Sequence, residues 1–298
     1  MAKKPKTNGT LLILTAGIFW GSMGIFVRGL TALAGFTSIQ IVTIRLTVAA
    51  LSFALILFLK NKKGFLITPK DIPLFLGLGL GSILFFSTCY FTAISMMTLS
   101  VAAILLYTSP IWVMLLSILL FHEKMTRTKL FALAVSFLGC ILVSGIGTGE
   151  TSVTITGVLI GLGSGLGYGL YSILGAIALR RYSTYTVTAY TFITAAIGSF
   201  FVCNLPDLCH KITACEGKPY LFFFIILTGL VTAVIPFLLY TLGLELVEAS
   251  RASILATVEP MVATFIGIAM FHEYMTLMSV LGMLCILSAI VLLNHKKN

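Results

Sequence analysis

The residue in this sequence with the most chemistry to offer is an acid inside an apolar run. Glu259 stands in Val258-Glu259-Pro260, midway along a stretch, 250–271, that holds no other acidic residue. An ionised carboxylate in hydrocarbon costs several kcal/mol unless it is paired, hydrated or protonated. Glu259 therefore either titrates during a working cycle or binds a cationic amine, or else it is a fixed structural pair or a neutral hydrogen-bonded acid. Arg45 lies about two turns inside another apolar stretch, 38–59, where it can pair with an acid or with a substrate carboxylate. Snorkelling to the interface explains it equally well. Pro110 and Pro260 cannot donate a backbone hydrogen bond, so each frees the carbonyl four residues earlier, at Leu106 and Ala256, and invites a kink. They read as paired hinges lining a cavity, or as static bends tolerated by packing.

Other constellations fall short of a reaction. His122-Glu123 and His272-Glu273 begin like a zinc-protease string, but Thr126 and Thr276 stand where the second histidine is needed. The carboxylates are expected to accept bonds from the start of the following helix. Six cysteines are scattered without metal-ligand spacing. Cys209 and Cys215 share one connection, where a short disulfide and two free thiols are the alternatives. Gly157, Gly161, Gly165 and Gly169, with Gly17, Gly21, Gly77 and Gly81, form small-residue faces suited to close helix packing. They are not a dinucleotide fingerprint, which needs a preceding strand. With no nucleophile, metal set or acid–base pair, the sequence does not read as an enzyme, and no cofactor is expected.

The elements that must position these residues follow from composition. Of 298 residues, 59% are hydrophobic and 9% charged, with 19 Lys+Arg over 9 Asp+Glu, and the mean hydropathy is +1.10. Soluble domains carry about 25% charge, so this is an all-α membrane protein embedded in a lipid bilayer. Ten stretches of spanning length occur at roughly 10–30, 38–59, 72–94, 99–121, 128–146, 156–178, 186–204, 219–243, 250–271 and 275–293. The longest connection, from Asn204 to Lys218, leaves no room for an ATPase domain. Alternate connections then collect 15 basic residues on one side, including Lys60, Lys124, Arg180 and Arg251, against Arg28, Lys211 and Lys218 on the other. The positive-inside rule puts both termini in the cytoplasm of a plasma (inner) membrane protein. The basic residues stand singly or in threes, so the net charge of +10 does not indicate nucleic acid. Lys3, Lys4 and Lys6 before an apolar run and Ala32-Leu33-Ala34 imitate a signal peptide, but the run is too long for one and is expected to be retained as span 1.

The chain also repeats itself. Ser100–Thr126 and Ser250–Thr276 are identical at 11 of 27 positions without a gap, sharing Pro110 and Pro260 and the string F-H-E-x-M-T, where roughly one in ten would match by chance. Tyr90 and Tyr240 keep the same offset of 150. The expected organisation is two five-helix units, 1–150 and 151–298. Because five is odd, the second unit enters the membrane inverted, an arrangement that in secondary transporters places the substrate at the repeat interface near the midplane. A channel or a structural scaffold is the alternative.

Trp20-Gly21, Tyr90 with Ala93, Ser100, Ala102, the two prolines and the closing Glu123 and Glu273 together resemble the drug/metabolite transporter superfamily, specifically its EamA-type ten-helix members. The resemblance covers nearly the whole chain. It implies a secondary carrier or facilitator of small organic metabolites such as amino acids, often an exporter, with a cavity lined by spans 1, 3, 4, 6, 8 and 9. Trp20, Tyr90, Tyr107, Tyr168, Tyr171 and Tyr240 fall in those spans, where their rings can stack on a planar substrate or serve as packing. Glu259 is the one deeply placed acid that could carry a proton, since span 1 has none and the scheme of small multidrug exporters does not transfer. The departure from the family pattern is His122 and His272, where a small residue is usual.

Overall fold

The computed structural model describes residues 6–97, 99–144, 154–272, 274 and 276–295; Glu273 and Lys3, Lys4, Lys296 and Lys297 lie outside these. Among the described residues there is no strand. Nine helices among these residues are long and apolar enough to cross a bilayer: span 1 (Asn8–Ala34), span 2 (Ser38–Lys60), span 3 (Pro69–Met96), span 4 (Val101–Phe121), span 6 (Ile155–Ala178), span 7 (Thr184–Val202), span 8 (Lys218–Leu244), span 9 (Ala249–Phe271) and span 10 (Leu277–Asn294). Span 5, Arg127–Val143, has 17 residues, about 25 Å at the helical rise, the short end of a crossing helix. The ten expected spans are present in order. A short helix, Leu205–Ala214, fills the connection between spans 7 and 8.

Local chemistry sets the ends. Thr37 and Gln40 form a capping box that starts span 2. Thr126, Thr154 and Ser183 each accept a backbone N–H three residues on to start spans 5, 6 and 7. The described ends of the repeated F-H-E-x-M-T string are thereby decoded as a helix stop and a helix cap. Its histidines, at φ 52° and 54°, are left-handed residues that stop spans 4 and 9, and its threonines cap spans 5 and 10.

The proline spans are each broken in two, Leu99–Leu106 with Ser109–Phe121 and Ala249–Leu255 with Val258–Phe271. Pro110 and Pro260 sit in the first turn of the second piece, where a missing N–H is tolerated. The carbonyl expected to be free at Ala256 is not, because it accepts the Glu259 N–H at 3.0 Å. Thr108 and Thr257 donate their hydroxyls to Leu105 and Ile254 carbonyls at 2.6 and 2.7 Å, closing the breaks one and two residues earlier than the proline rule places them. Spans 3 and 8 carry π-helical segments, Gly77–Leu84 and Leu230–Val234, and residues 80–84 of the first correspond to the second at the repeat offset.

The packing is that of two interlocked inverted repeats: span 1 lies against spans 8 and 9 as span 6 lies against spans 3 and 4, while span 2 meets span 7 and span 5 meets span 10. Ile13, Phe53, Phe192 and Phe237 are among the buried side chains of the main core. A smaller cluster, including Leu30, Phe36 and Leu221, docks Leu208 of the short helix at the lysine-poor face. Cys209 and Cys215 stand as free thiols in this structure. Six residues apart along one helix and its cap, they are turned away from each other by about 120°.

Candidate substrate site

The small-residue faces of spans 1 and 6 bring the centre together. A Cβ built on Gly21 would lie 2.8 Å from the Glu259 carbonyl, and one on Gly165 would lie 2.4 Å from Thr108 Oγ1 and 2.6 Å from the Leu105 carbonyl. Glycine is required there because the opposing atoms include backbone at the breaks of spans 9 and 4. Gly81, by contrast, would meet nothing within 4 Å, so the expected packing role does not extend to it.

Between these spans lies a cavity of about 20 Å³, lined among others by Trp20, Ser109, Tyr168, Tyr171, Tyr240 and Ser253. That is room for about one water molecule. Trp20 is 6% exposed, and its ring meets Phe237 at 5.0 Å, Tyr240 at 5.3 Å and Tyr168 at 6.1 Å. Polar groups face each other within this aromatic shell. Tyr168 donates its hydroxyl to Glu259 Oε2 at 3.0 Å, Tyr240 and Ser172 share a bond of 2.7 Å, and Tyr171 and Thr241 one of 2.6 Å.

Four of the six expected aromatics, Trp20, Tyr168, Tyr171 and Tyr240, thus line one cavity, and Glu259 joins it through Tyr168. The other two do not. Tyr107 packs against the main core at the break of span 4, and the Tyr90 ring lies tilted against Phe91 with centroids 5.8 Å apart. Span 3 contributes none of the lining residues described; Phe86 only backs Tyr168 at 5.2 Å. Pro110 and Pro260 are buried beside the cavity, one residue after Ser109 and Glu259. Arg45 turns inward rather than to the interface, donating Nε to Thr232 Oγ1 at 2.8 Å and a terminal nitrogen to the Thr232 carbonyl at 3.0 Å. It thereby satisfies a carbonyl of the π segment in span 8, where regular helical bonding is interrupted. Sequence reasoning missed Ser109, Ser172, Ser253 and Thr232. Ser109 was within reach, since it is the repeat counterpart of Glu259.

Comparison with known proteins agrees with this architecture. A solved crystal structure, 16% identical, superposes with a TM-score of 0.77 over 96% of each chain, which speaks to fold alone. An uncharacterized transporter of Archaeoglobus fulgidus is 27% identical over 95% of both chains. The uncharacterized inner membrane transporter YicL of Salmonella typhimurium is 25% identical over 96% of this chain and 95% of its own, and the uncharacterized transporter YdfC of Bacillus subtilis is 27% identical over 84% and 79%. The model of the EamA-like transporter family matches residues 7–145 and again 155–295. Matched in both halves, this multi-pass membrane protein belongs to the EamA-like transporter family and is a transporter, not an enzyme.

Proposed function

We propose that the chain is a carrier that exports small organic metabolites such as amino acids by alternating access, with repeats 1–150 and 151–298 exchanging conformations about the central cavity. The lysine-rich face is taken as cytoplasmic, with both termini there, and the inner-membrane name of the Salmonella relative supports the plasma membrane. One observation carries the reading. Glu259, bonded to Tyr168, stands at the edge of an aromatic cavity where the inverted repeats meet. A carboxylate there suits a substrate amine, and aromatic walls suit the rest of a compact amphipathic solute. Arg45, held on Thr232 in this structure, offers the opposite charge when the cavity expands.

Counterflow in proteoliposomes tests this directly. Vesicles loaded with unlabelled amino acids, nucleosides and amines are expected to take up labelled amino acids without an ion gradient. Gradient-dependent leak without counterflow would replace the carrier with a channel. Glu259 is also the candidate proton site. Glu259→Gln is expected to abolish pH-driven transport, and unchanged pH-driven transport would remove proton coupling through this residue.

A further inference from the structure

Two cation–π contacts join the repeats at opposite faces of the membrane. At the lysine-poor face the Arg28 guanidinium, in span 1, lies 3.9 Å from the ring centroid of Phe271 at the end of span 9. At the lysine-rich face the Arg180 guanidinium, just past span 6, lies 4.9 Å from the ring centroid of Phe121 at the end of span 4. Both distances are inside the reach of about 6 Å for such contacts. In the first, the cation comes from the first repeat and the ring from the second; in the other, these origins are exchanged. Phe121 and Phe271 are the opening residues of the repeated F-H-E-x-M-T string. Each is therefore the last helical residue before a left-handed histidine, the fixed end of a helix rather than part of a loop.

We propose that these pairs are the two gate latches of the transport cycle, Arg28–Phe271 closing the lysine-poor face and Arg180–Phe121 the lysine-rich face. The inference rests on the alternating-access reading above. Both latches are engaged in this structure, and the cavity between them holds about 20 Å³. Opening toward either side must separate span 1 from span 9 or span 6 from span 4, and each separation parts one ring from its cation while leaving the other pair together. The other described contacts between repeats differ at the two faces. Glu123 takes Lys129 and Ser250 with Glu248 alongside, and Asp71 takes Arg181 at 2.9 Å, all at the lysine-rich face. Gln40, in span 2, takes Asp207 and Lys211 at the other. Among the described contacts, the latches use matched chemistry, an arginine of one repeat on a phenylalanine of the other, with the two rings at equivalent positions of the repeat, which balances the two open forms. Because the arginines are exposed, each latch is worth about two- to five-fold in the ratio of open forms.

The test is hydrogen exchange of the full chain in lipid nanodiscs, read on peptides from the ends of spans 1, 4, 6 and 9, alongside counterflow by the wild type. Phe271→Leu keeps apolar bulk but loses the aromatic face. It is expected to speed exchange at the lysine-poor ends of spans 1 and 9 about two- to five-fold and to slow it at the opposite ends of spans 4 and 6. Phe121→Leu is expected to do the reverse, the double variant to restore the wild-type balance, and Phe271→Trp, which keeps a π face if packing alone were disturbed, to hold its face closed. Wild-type counterflow with neither leucine variant shifting either face overturns the latches and leaves the carrier standing. Loosening of one face without tightening of the other, in a wild type that shows no counterflow, overturns alternating access and this inference with it.

Discussion

Two glycines three residues apart in span 1 should respond oppositely to the same change. At Gly21 an added Cβ would stand 2.7 Å from Val262 Cβ and 2.8 Å from the Glu259 carbonyl, whereas at Gly24 it would meet nothing within 4 Å. Ordinary contact begins near 3.4 Å, so Gly21→Ala must move the span 9 backbone at Glu259 by about 0.6 Å, at an overpacking cost of about 1–3 kcal/mol. Alanine's better helix propensity returns about 1 kcal/mol at either position. Gly24→Ala is then stabilising by about 1 kcal/mol, while Gly21→Ala is destabilising by up to about 2 kcal/mol. It also displaces the acid that the proposed mechanism uses, where shifts of this size cost up to about a hundredfold in rate. Thermal unfolding in detergent and counterflow per folded molecule measure the two effects. If both variants unfold and transport alike, close approach is not what selects glycine at position 21, and the account of how span 1 positions Glu259 is wrong.

Three further outcomes follow from named contacts. His122→Gly and His272→Gly each relieve a left-handed residue and are expected to raise stability by about 0.5–1 kcal/mol; destabilisation of both in a thermal melt would contradict the caps. Arg45→Lys keeps the charge but loses the fork on Thr232, leaving a buried carbonyl short of a donor, and is expected to cost about 1–3 kcal/mol, with Thr232→Ser neutral. Full stability of Arg45→Lys would show that the π segment does not depend on it. Asp207 is held below the ordinary carboxylate range by hydrogen bonds from Lys211 and Gln40. A lowered pKa contributes docking of the short helix Leu205–Ala214 above the unfolded value, and that contribution is lost as pH falls through the folded one. Exchange protection of this helix is expected to hold at pH 5 and to fall only below about pH 4; loss already at pH 6 would assign docking to another group.

The spans and the inverted repeat were legible because hydropathy and residue identity are local properties that survive inversion. The broken proline spans were legible too, but not where their carbonyls find partners, since Thr108 and Thr257 complete the breaks from outside the proline rule. The π segments left no trace in residue type, and with them went the role of Arg45, whose partner Thr232 sits 187 residues away. Tyr90 and Tyr240 illustrate a different limit. They are equivalent in sequence, yet only Tyr240 is drawn to the cavity, by Ser172. Aligning Gly165 and Gly169 with Gly17 and Gly21 sets Ser172 against Gly24, which has no hydroxyl to offer Tyr90. A repeat in the sequence predicts equivalent backbones, and the side chains then depend on partners that the repeat does not preserve.

Those unpreserved partners concentrate at the centre. Spans 1 and 6 cross their proline-broken neighbours in equivalent ways, and Trp20 faces Tyr168 at the same register on the two units. A pair of identical repeats would present identical walls to the cavity. Instead Glu259 stands opposite Ser109 in the repeat alignment, and Arg45 stands opposite Ala195, which is fully buried in the core. Both charged side chains therefore occur once, both belong to spans whose counterparts are small or apolar at that position, and each is held by a hydroxyl-bearing residue of the second repeat, Tyr168 or Thr232. Mechanical equivalence at the ends of the repeats and chemical inequivalence at their centre are different requirements: the first lets two open forms have similar energies, and the second gives a bound solute one orientation. In the proposed cycle the matched rings Phe121 and Phe271 would meet the first, and Glu259 with Arg45 the second.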